Sequence, residues 1–409
     1  MTEEKKHVPE LRFPEFEGEW EEKKLGELCT FSNGINAKKE QYGHGRKFIN
    51  VLDILNKNYI TYNEIIGKVA VSKEVEHRNK VEYGDLLFLR SSETREEVGT
   101  SNVYLDNTFA LYGGFVIRGK KVANYDPMFI KNLLNTSKIR NMISASSGGS
   151  TRYNVNQEIL KKLKLKLTGI NEQQKIGDFF SKLDHQIELE EQKLALLEEQ
   201  KKGYMQKIFS QELRFKDDNG EDYPDWEETM ISNIGEVVTG NTPSKKEEEY
   251  WRSNEYVWVT PTDITNKKDI YQSGVYLSQK GYEKARKLPK NTLLITCIAS
   301  IGKNAILRTQ GACNQQINGI IPFKEFDIDY LYYAFEDISK LMKKVAGKTA
   351  TQIVNKKTFE NLSLDIPTTL EQQKIGEFFS QLDRYIELQE QKINLFKQRK
   401  KGFLQKMFV

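Results

Sequence analysis

Residues 172–209 read EQQKIGDFFSKLDHQIELEEQKLALLEEQKKGYMQKIF, and residues 371–408 read EQQKIGEFFSQLDRYIELQEQKINLFKQRKKGFLQKMF. The two stretches lie 199 residues apart and agree at 24 of 38 positions without a gap. Chance does not produce such agreement, so the chain is two copies of one unit. Solenoid repeats run to roughly 20–50 residues, far shorter than this period. Each copy is long enough for a globular domain followed by a long helix.

Both stretches carry apolar residues on a seven-residue period. In the first, Ile176, Leu183 and Leu197 form one row, and Phe180, Ile187 and Leu194 form its companion. In the second, Ile375, Leu382 and Phe396 lie beside Phe379, Ile386 and Ile393. A sustained heptad pattern of this kind is the mark of helices that pair through a seam. Each helix is expected to be on the order of 55 Å long at 1.5 Å per residue. Polar residues interrupt the rows at Glu190 and Lys201, and again at Gln389 and Lys400. Antiparallel pairing is expected to bring the Glu190 layer near the Lys400 layer. Glycines at 177, 203, 376 and 402 fall inside the pattern. Each weakens a helix by about 1 kcal/mol relative to alanine, so they mark frayed ends or close backbone contacts.

The repeat continues upstream of the helices. ELRF occurs at 10–13 and at 212–215, and Trp20 and Trp226 are each followed by two glutamates. GDLLFLR at 84–90 parallels NTLLITC at 291–297, and GGSTRYNVN at 148–156 parallels GKTATQIVN at 347–355. Leu163, Leu165 and Leu167 match Leu362, Leu364 and Ile366. Strand character appears at 48–55, 86–90 and 115–118, then at 257–264, 293–298 and 317–323. Helical stretches are expected at about 127–145 and 328–345. The expected fold is α+β: two similar globular parts, 1–171 and 212–369, with two long antiparallel coiled-coil helices, 172–211 and 370–409, in a pseudo-twofold internal repeat. The helices are nearly copied, whereas the globular parts keep a pattern but little identity. That contrast suits a common scaffold whose two globular parts face different ligands.

Bulk composition narrows the class. The 409 residues give a net charge of only +4, from 62 basic and 58 acidic residues. A polyanion partner is permitted, but its surface must come from local clustering. Cys29, Cys297 and Cys313 are scattered, with no disulfide framework or zinc spacing. A reducing, cytoplasmic location is expected. The start, MTEEKKHVPEL, lacks the apolar stretch of a signal peptide, and no apolar run is long enough to span a bilayer.

Catalytic motifs fail on inspection. Gly347-Lys348-Thr349 suggests a phosphate loop, but Met342 stands where the preceding glycine belongs. No Pro-Pro pair is present for an amino-methyltransferase loop. Acidic groupings near Asp225 or Glu21-Glu22-Lys23 are short matches expected in a chain this charged. No metal-ligand cluster and no nucleophile–base set emerges. The expectation is no catalytic residue, no metal and no cofactor in this chain.

Binding loops remain. In the first copy they carry Arg90, Ser91, Thr94 and Arg95, then Thr151, Arg152 and Tyr153. In the second they carry Thr260, Thr262, Ser300, Lys303, Asn314 and Gln315, then Lys348, Thr351 and Gln352. Arginine suits guanine edges, Asn and Gln suit adenine edges, and hydroxyls and lysines suit phosphates. The groups occupy equivalent places in both copies, which makes them candidate DNA contacts.

The architecture resembles the specificity subunit of type I restriction–modification systems. The most specific stretches are LKLKLTGINEQQKIGDFFSKLD at 163–184 and LSLDIPTTLEQQKIGEFFSQLD at 362–383, supported by Gly84-Asp85-Leu86-Leu87. The first copy has Thr168-Gly169-Ile170 where the second has Pro367-Thr368-Thr369, a change confined to the linker. The resemblance implies that each globular part is a target recognition domain reading one half of a split, asymmetric double-stranded DNA sequence. It implies that the helices set the spacing between the halves. It also implies two modification subunits that methylate adenine with AdoMet, and two restriction subunits that use ATP and Mg²⁺. Those cofactors would belong to the partners, and no membrane is involved. A rival reading is a coiled-coil scaffold that dimerises partner enzymes without reading DNA sequence.

Overall fold

The computed structural model describes residues 7–55, 58–149, 151–252, 254–346 and 353–409. Two helices dominate, Ile170–Phe209 and Thr369–Lys406. The chain divides into two compact units. Unit 1 is Met1–Gln192 with Glu390–Val409, and unit 2 is Lys193–Gln389. Each unit therefore contains one globular part, the start of the helix that follows it, and the end of the other long helix.

In unit 1 an antiparallel sheet runs in the order Cys29–Asn33, Val116–Lys121, Leu86–Leu89, Ser101–Val103. All four residues of Leu86–Leu89 are buried, which explains why this strand reads LLFL without alternation. A second sheet places Tyr42–Ile49 between Lys68–Val69 and Leu111–Tyr112. Glu21–Lys24 pairs with Lys164–Leu167, the strand that feeds the first long helix. Two expectations change here. The stretch 48–55 is a strand only to Ile49, because the Asp53 carboxylate accepts from the Asn50 backbone N–H and turns 51–55 into a short helix. The helix expected at 127–145 is broken into Pro127–Leu134 and Ser137–Ser146. At the break the Asn135 side chain donates to the Lys131 carbonyl and the Thr136 hydroxyl donates to the Leu133 carbonyl.

Unit 2 repeats the plan, with one added strand in its larger sheet. Its larger sheet runs Gly235–Thr239, Ile317–Pro322, Thr292–Thr296, Asn304–Leu307, Asp269–Ile270. Its smaller sheet places Tyr256–Val259 between Tyr276–Leu277 and Gly311–Cys313. Glu227–Met230 pairs with Ser363–Ile366. The expected strand at 257–264 ends at Val259, where the Asp263 carboxylate caps the Thr260 N–H. Here the helix Ile328–Val345 is continuous.

Each long helix is anchored at its start by the same contacts. The ELRF arginine grips a buried glutamate: Arg12 reaches both oxygens of Glu172 at 2.7 Å, and Arg214 reaches those of Glu371 at 3.2 and 2.7 Å. Glu172 is 2% exposed and Glu371 is fully buried, so each needs its paired cation. The next residue, Gln173 or Gln372, accepts from the backbone of Asp126 or Asp327. Those aspartates cap the helices Pro127–Leu134 and Ile328–Val345 with identical backbone angles. Gly177 and Gly376 exist for this approach, because a Cβ would stand 2.2 Å from Asp126 Oδ1 and 2.7 Å from Asp327 Oδ1. Nothing in the structure explains Gly203 and Gly402.

The end of the opposite helix then completes each core. In unit 1 Phe408 packs on Phe180 at 5.8 Å, Phe129 at 5.3 Å and Trp20 at 6.2 Å between ring centroids. In unit 2 Phe209 packs on Phe379 at 6.2 Å, Tyr330 at 5.9 Å and Trp226 at 6.2 Å. The helix segments are thus antiparallel within both units. Ile176, Phe180, Ile187, Ile375, Phe379 and Ile393 are buried. Leu183, Leu194, Leu197, Leu382, Ile386 and Phe396 are half-buried. The polar layers differ from expectation. Lys400 pairs with Asp184, Lys201 pairs with Asp383 at 2.5 Å, and Glu190 pairs with Lys392 at 2.7 Å. Glu190 and Lys400 do not share a layer, because the Phe408 contact on Phe180 sets an axial offset that places Lys400 beside Asp184.

Two outcomes follow for unit 1. Phe408→Ala removes a buried ring and is expected to destabilise unit 1 by about 3–5 kcal/mol. Hydrogen exchange should show protection lost around Trp20 and Phe129 but kept around Trp226 and Tyr330; equal loss in both would contradict the assignment. Lys131 is buried near Asp184, and burial, reinforced by Lys400, pushes its ammonium down to about 8 from the usual 10.5. The folded chain then holds this proton less tightly than the unfolded chain, so stability rises between about pH 8 and 10.5. Lys131→Met should lack that rise and be more stable at pH 7 by on the order of 1–3 kcal/mol. Thermal melts of both proteins that stay parallel across this range would refute the effect.

Candidate nucleic-acid interface

Among the described residues, the loops singled out in the sequence lie at the ends of the central strands. In unit 1 the strand Leu86–Leu89 delivers Arg90 to a crossing of three segments. The Arg90 N–H donates to the Phe115 carbonyl at 2.9 Å, and the Arg90 carbonyl accepts from Val155 at 2.9 Å. The Arg90 guanidinium donates to the Gly114 carbonyl at 3.2 Å. Beyond it, Ser91–Ser92 pairs with Tyr153–Asn154, which brings the two predicted groups of unit 1 together. The Arg95 guanidinium lies 5.6 Å from the Tyr153 ring centroid, and Arg152 lies 3.8 Å from Glu93. Thr94 is tied to this turn through the Ser92 hydroxyl. Thr151 is exposed beside them.

Unit 2 builds the same crossing with other side chains. Cys297 stands where Arg90 does: its N–H donates to the Gln316 carbonyl at 2.8 Å, and its carbonyl accepts from Val354 at 3.0 Å. Burial pushes the Cys297 thiol up to about 12, so this position carries no charge. The Asn314 N–H donates to the Val259 carbonyl at 3.0 Å, which sets Asn314 and Gln315 beside the turn of Thr260 and Thr262. Thr260 and Thr262 share a hydroxyl contact of 2.7 Å. Asn314 is nearly buried and its amide engages Gln316, whereas Gln315 is exposed. Ser300 and Lys303 lie on the turn closed by Thr296, whose hydroxyl donates to the Ser300 carbonyl. Lys348, Thr351 and Gln352 lie outside the described residues.

Sequence reasoning missed a further loop at each crossing. After the first sheet strand, Gly34 and Gly240 let two backbones touch, since a Cβ on either would meet a carbonyl oxygen at 2.2 Å. That contact brings Asn36 to Gly114 in unit 1 and Thr242 to Gln315 in unit 2. A basic run accompanies it in one unit. In unit 2 the Arg286 guanidinium donates to the Thr239 carbonyl at 2.7 Å, and the Arg286 N–H donates to Asn241 at 2.7 Å. KARK at 284–287 was the available signal. The crossings are chemically suited to an anionic, hydrogen-bonding polymer: exposed amides and hydroxyls flanked by arginine and lysine. Among the described residues no group of three potential metal ligands occurs, and no helix is long and apolar enough to cross a membrane.

Residues 17–199 and 223–398 match the family described as type I restriction modification DNA specificity domain. The chain belongs to that family. It is 35% identical over 186 residues to the type I restriction enzyme MjaIX specificity subunit of Methanocaldococcus jannaschii, covering 44% of this chain and 43% of that protein. In its alignments with such curated relatives the chain spans less than half of their length. The fold is that of the crystal structure of the type I restriction–modification S subunit from M. genitalium, with a TM-score of 0.60 at 15% identity, covering 98% of this chain and 99% of that one. It is also that of a chain solved to explain complex assembly and conformational transition in the type I system, with a TM-score of 0.58 at 16% identity, covering 95% and 97%. Membership of the specificity family agrees with the resemblance carried by the EQQKIG passages, and nothing in these likenesses supports a scaffold without DNA reading.

Proposed function

We propose that this chain is a non-catalytic, cytoplasmic subunit that reads a bipartite, asymmetric DNA target and directs adenine methylation and restriction by partner subunits. One observation carries the reading. The two units share strand order and backbone hydrogen bonds at the crossing, yet present different side chains there: Arg90 against Cys297, and Gly114 against Gln315. A conserved frame with different polar contacts suits two readers of two different half-sequences. In this reading unit 1 and unit 2 each act as a target recognition domain.

The partners in this proposal are two modification and two restriction subunits, which would supply AdoMet, ATP and Mg²⁺ chemistry. Exposed leucines outside the seam support a partner surface: Leu189 and Leu395 in unit 1, and Leu196 and Leu388 in unit 2. They fall at equivalent repeat positions, as two copies of one docking face require.

The test is adenine-methylation mapping in matched cells with and without this chain, with its modification subunit supplied in both. A single split motif that appears only with the chain is the expected result. The purified complex should also bind duplexes carrying that motif with an affinity that falls as salt rises. A soluble complex that yields no new motif and no salt-dependent binding would overturn the reading.

A further inference from the structure

We infer that two side-chain exchanges at the equivalent crossing, Arg90 against Cys297 and Gly114 against Gln315, set the base preference of each unit; this rests on the DNA-reading role proposed above. The backbone there is the same in both units. Ile35 N–H donates to the Tyr112 carbonyl at 2.9 Å, and Asn241 N–H donates to the Cys313 carbonyl at 3.0 Å. The side chains differ in a compensated way. In unit 1 the glycine at 114 leaves room for the Asn36 side chain to lie against it. The Gly114 carbonyl accepts from the Arg90 guanidinium at 3.2 Å, which steadies that side chain with one of its five N–H groups.

In unit 2 the arrangement is reversed. A neutral, buried thiol at Cys297 replaces the guanidinium, and the polar group moves to the facing loop as Gln315. The Thr242 hydroxyl donates to Gln315 Oε1 at 2.7 Å. That bond holds one end of the exposed amide and leaves its other end facing outward. An exposed, oriented amide presents one acceptor and one donor edge, the pattern that matches adenine N6 and N7, whereas a guanidinium matches guanine O6 and N7. Unit 1 is therefore assigned a guanine contact through Arg90, and unit 2 an adenine contact through Gln315.

Methylation mapping of the complete complex tests this with the parent chain, Gln315→Ala, Arg90→Lys, and Lys357→Ala as an exposed control. Gln315→Ala should relax one A·T position in one half of the motif, with discrimination there falling roughly 10- to 100-fold and the other half unchanged. Arg90→Lys should relax one G·C position in the other half. If either variant abolishes methylation, competition binding with duplexes that vary one base pair at a time gives the same readout. A parent motif that persists with full discrimination in both variants overturns the inference and leaves the DNA-reading role standing. A parent complex that yields no split motif overturns that role and this inference together.

Discussion

Each long helix must begin in one unit and end in the other, and the rest of the structure depends on that exchange. Phe408 closes the core around Trp20, Phe129 and Phe180, and Phe209 closes the core around Trp226, Tyr330 and Phe379. Neither core is complete without the far end of a helix whose start belongs elsewhere in the chain. Burial of a Phe side chain contributes on the order of 2–3 kcal/mol, and the ring stacking around it adds to this. The buried Arg12–Glu172 and Arg214–Glu371 pairs then fix where each helix starts relative to its sheet.

This constraint explains the uneven divergence of the two copies. A helix start must fit its own unit, through Glu, Gln and Gly at fixed spacing, while its end must fit the other unit. Both helices face both demands, so both keep EQQKIG at one end and KKG followed by QK and Phe at the other. The crossings near Arg90 and Cys297 face no such demand. Their backbone is held by strand pairing, so their side chains are free to differ with the ligand.

What the sequence revealed follows from periodicity. Burial repeats every few residues along a helix, so the seam residues from Ile176 to Phe396 could be named from the heptads. A period identifies a face but not an axial offset, which is why the pairing of Lys400 with Asp184 rather than with the Glu190 layer emerged only from the packed aromatic ends. The break at Asn135 and Thr136 was hidden because side-chain capping of backbone carbonyls leaves the apolar pattern intact. At the candidate site, the loops bearing Arg90, Arg95, Tyr153 and Gln315 were visible as polar clusters beside strands. Their partners Asn36, Gly114 and Thr242 were not, since only the fold brings positions so distant in sequence together.

The most direct measurement is the methylation motif of a chimera in which residues 1–168 are replaced by the corresponding part of a relative with a different target. Both long helices are kept, and with them the stacked Phe180 and Phe408 rings against which the new part must pack. The account predicts a motif with one half exchanged for the relative's and the other half unchanged. A motif altered in both halves, or in neither, would contradict the claim that each unit reads its own half.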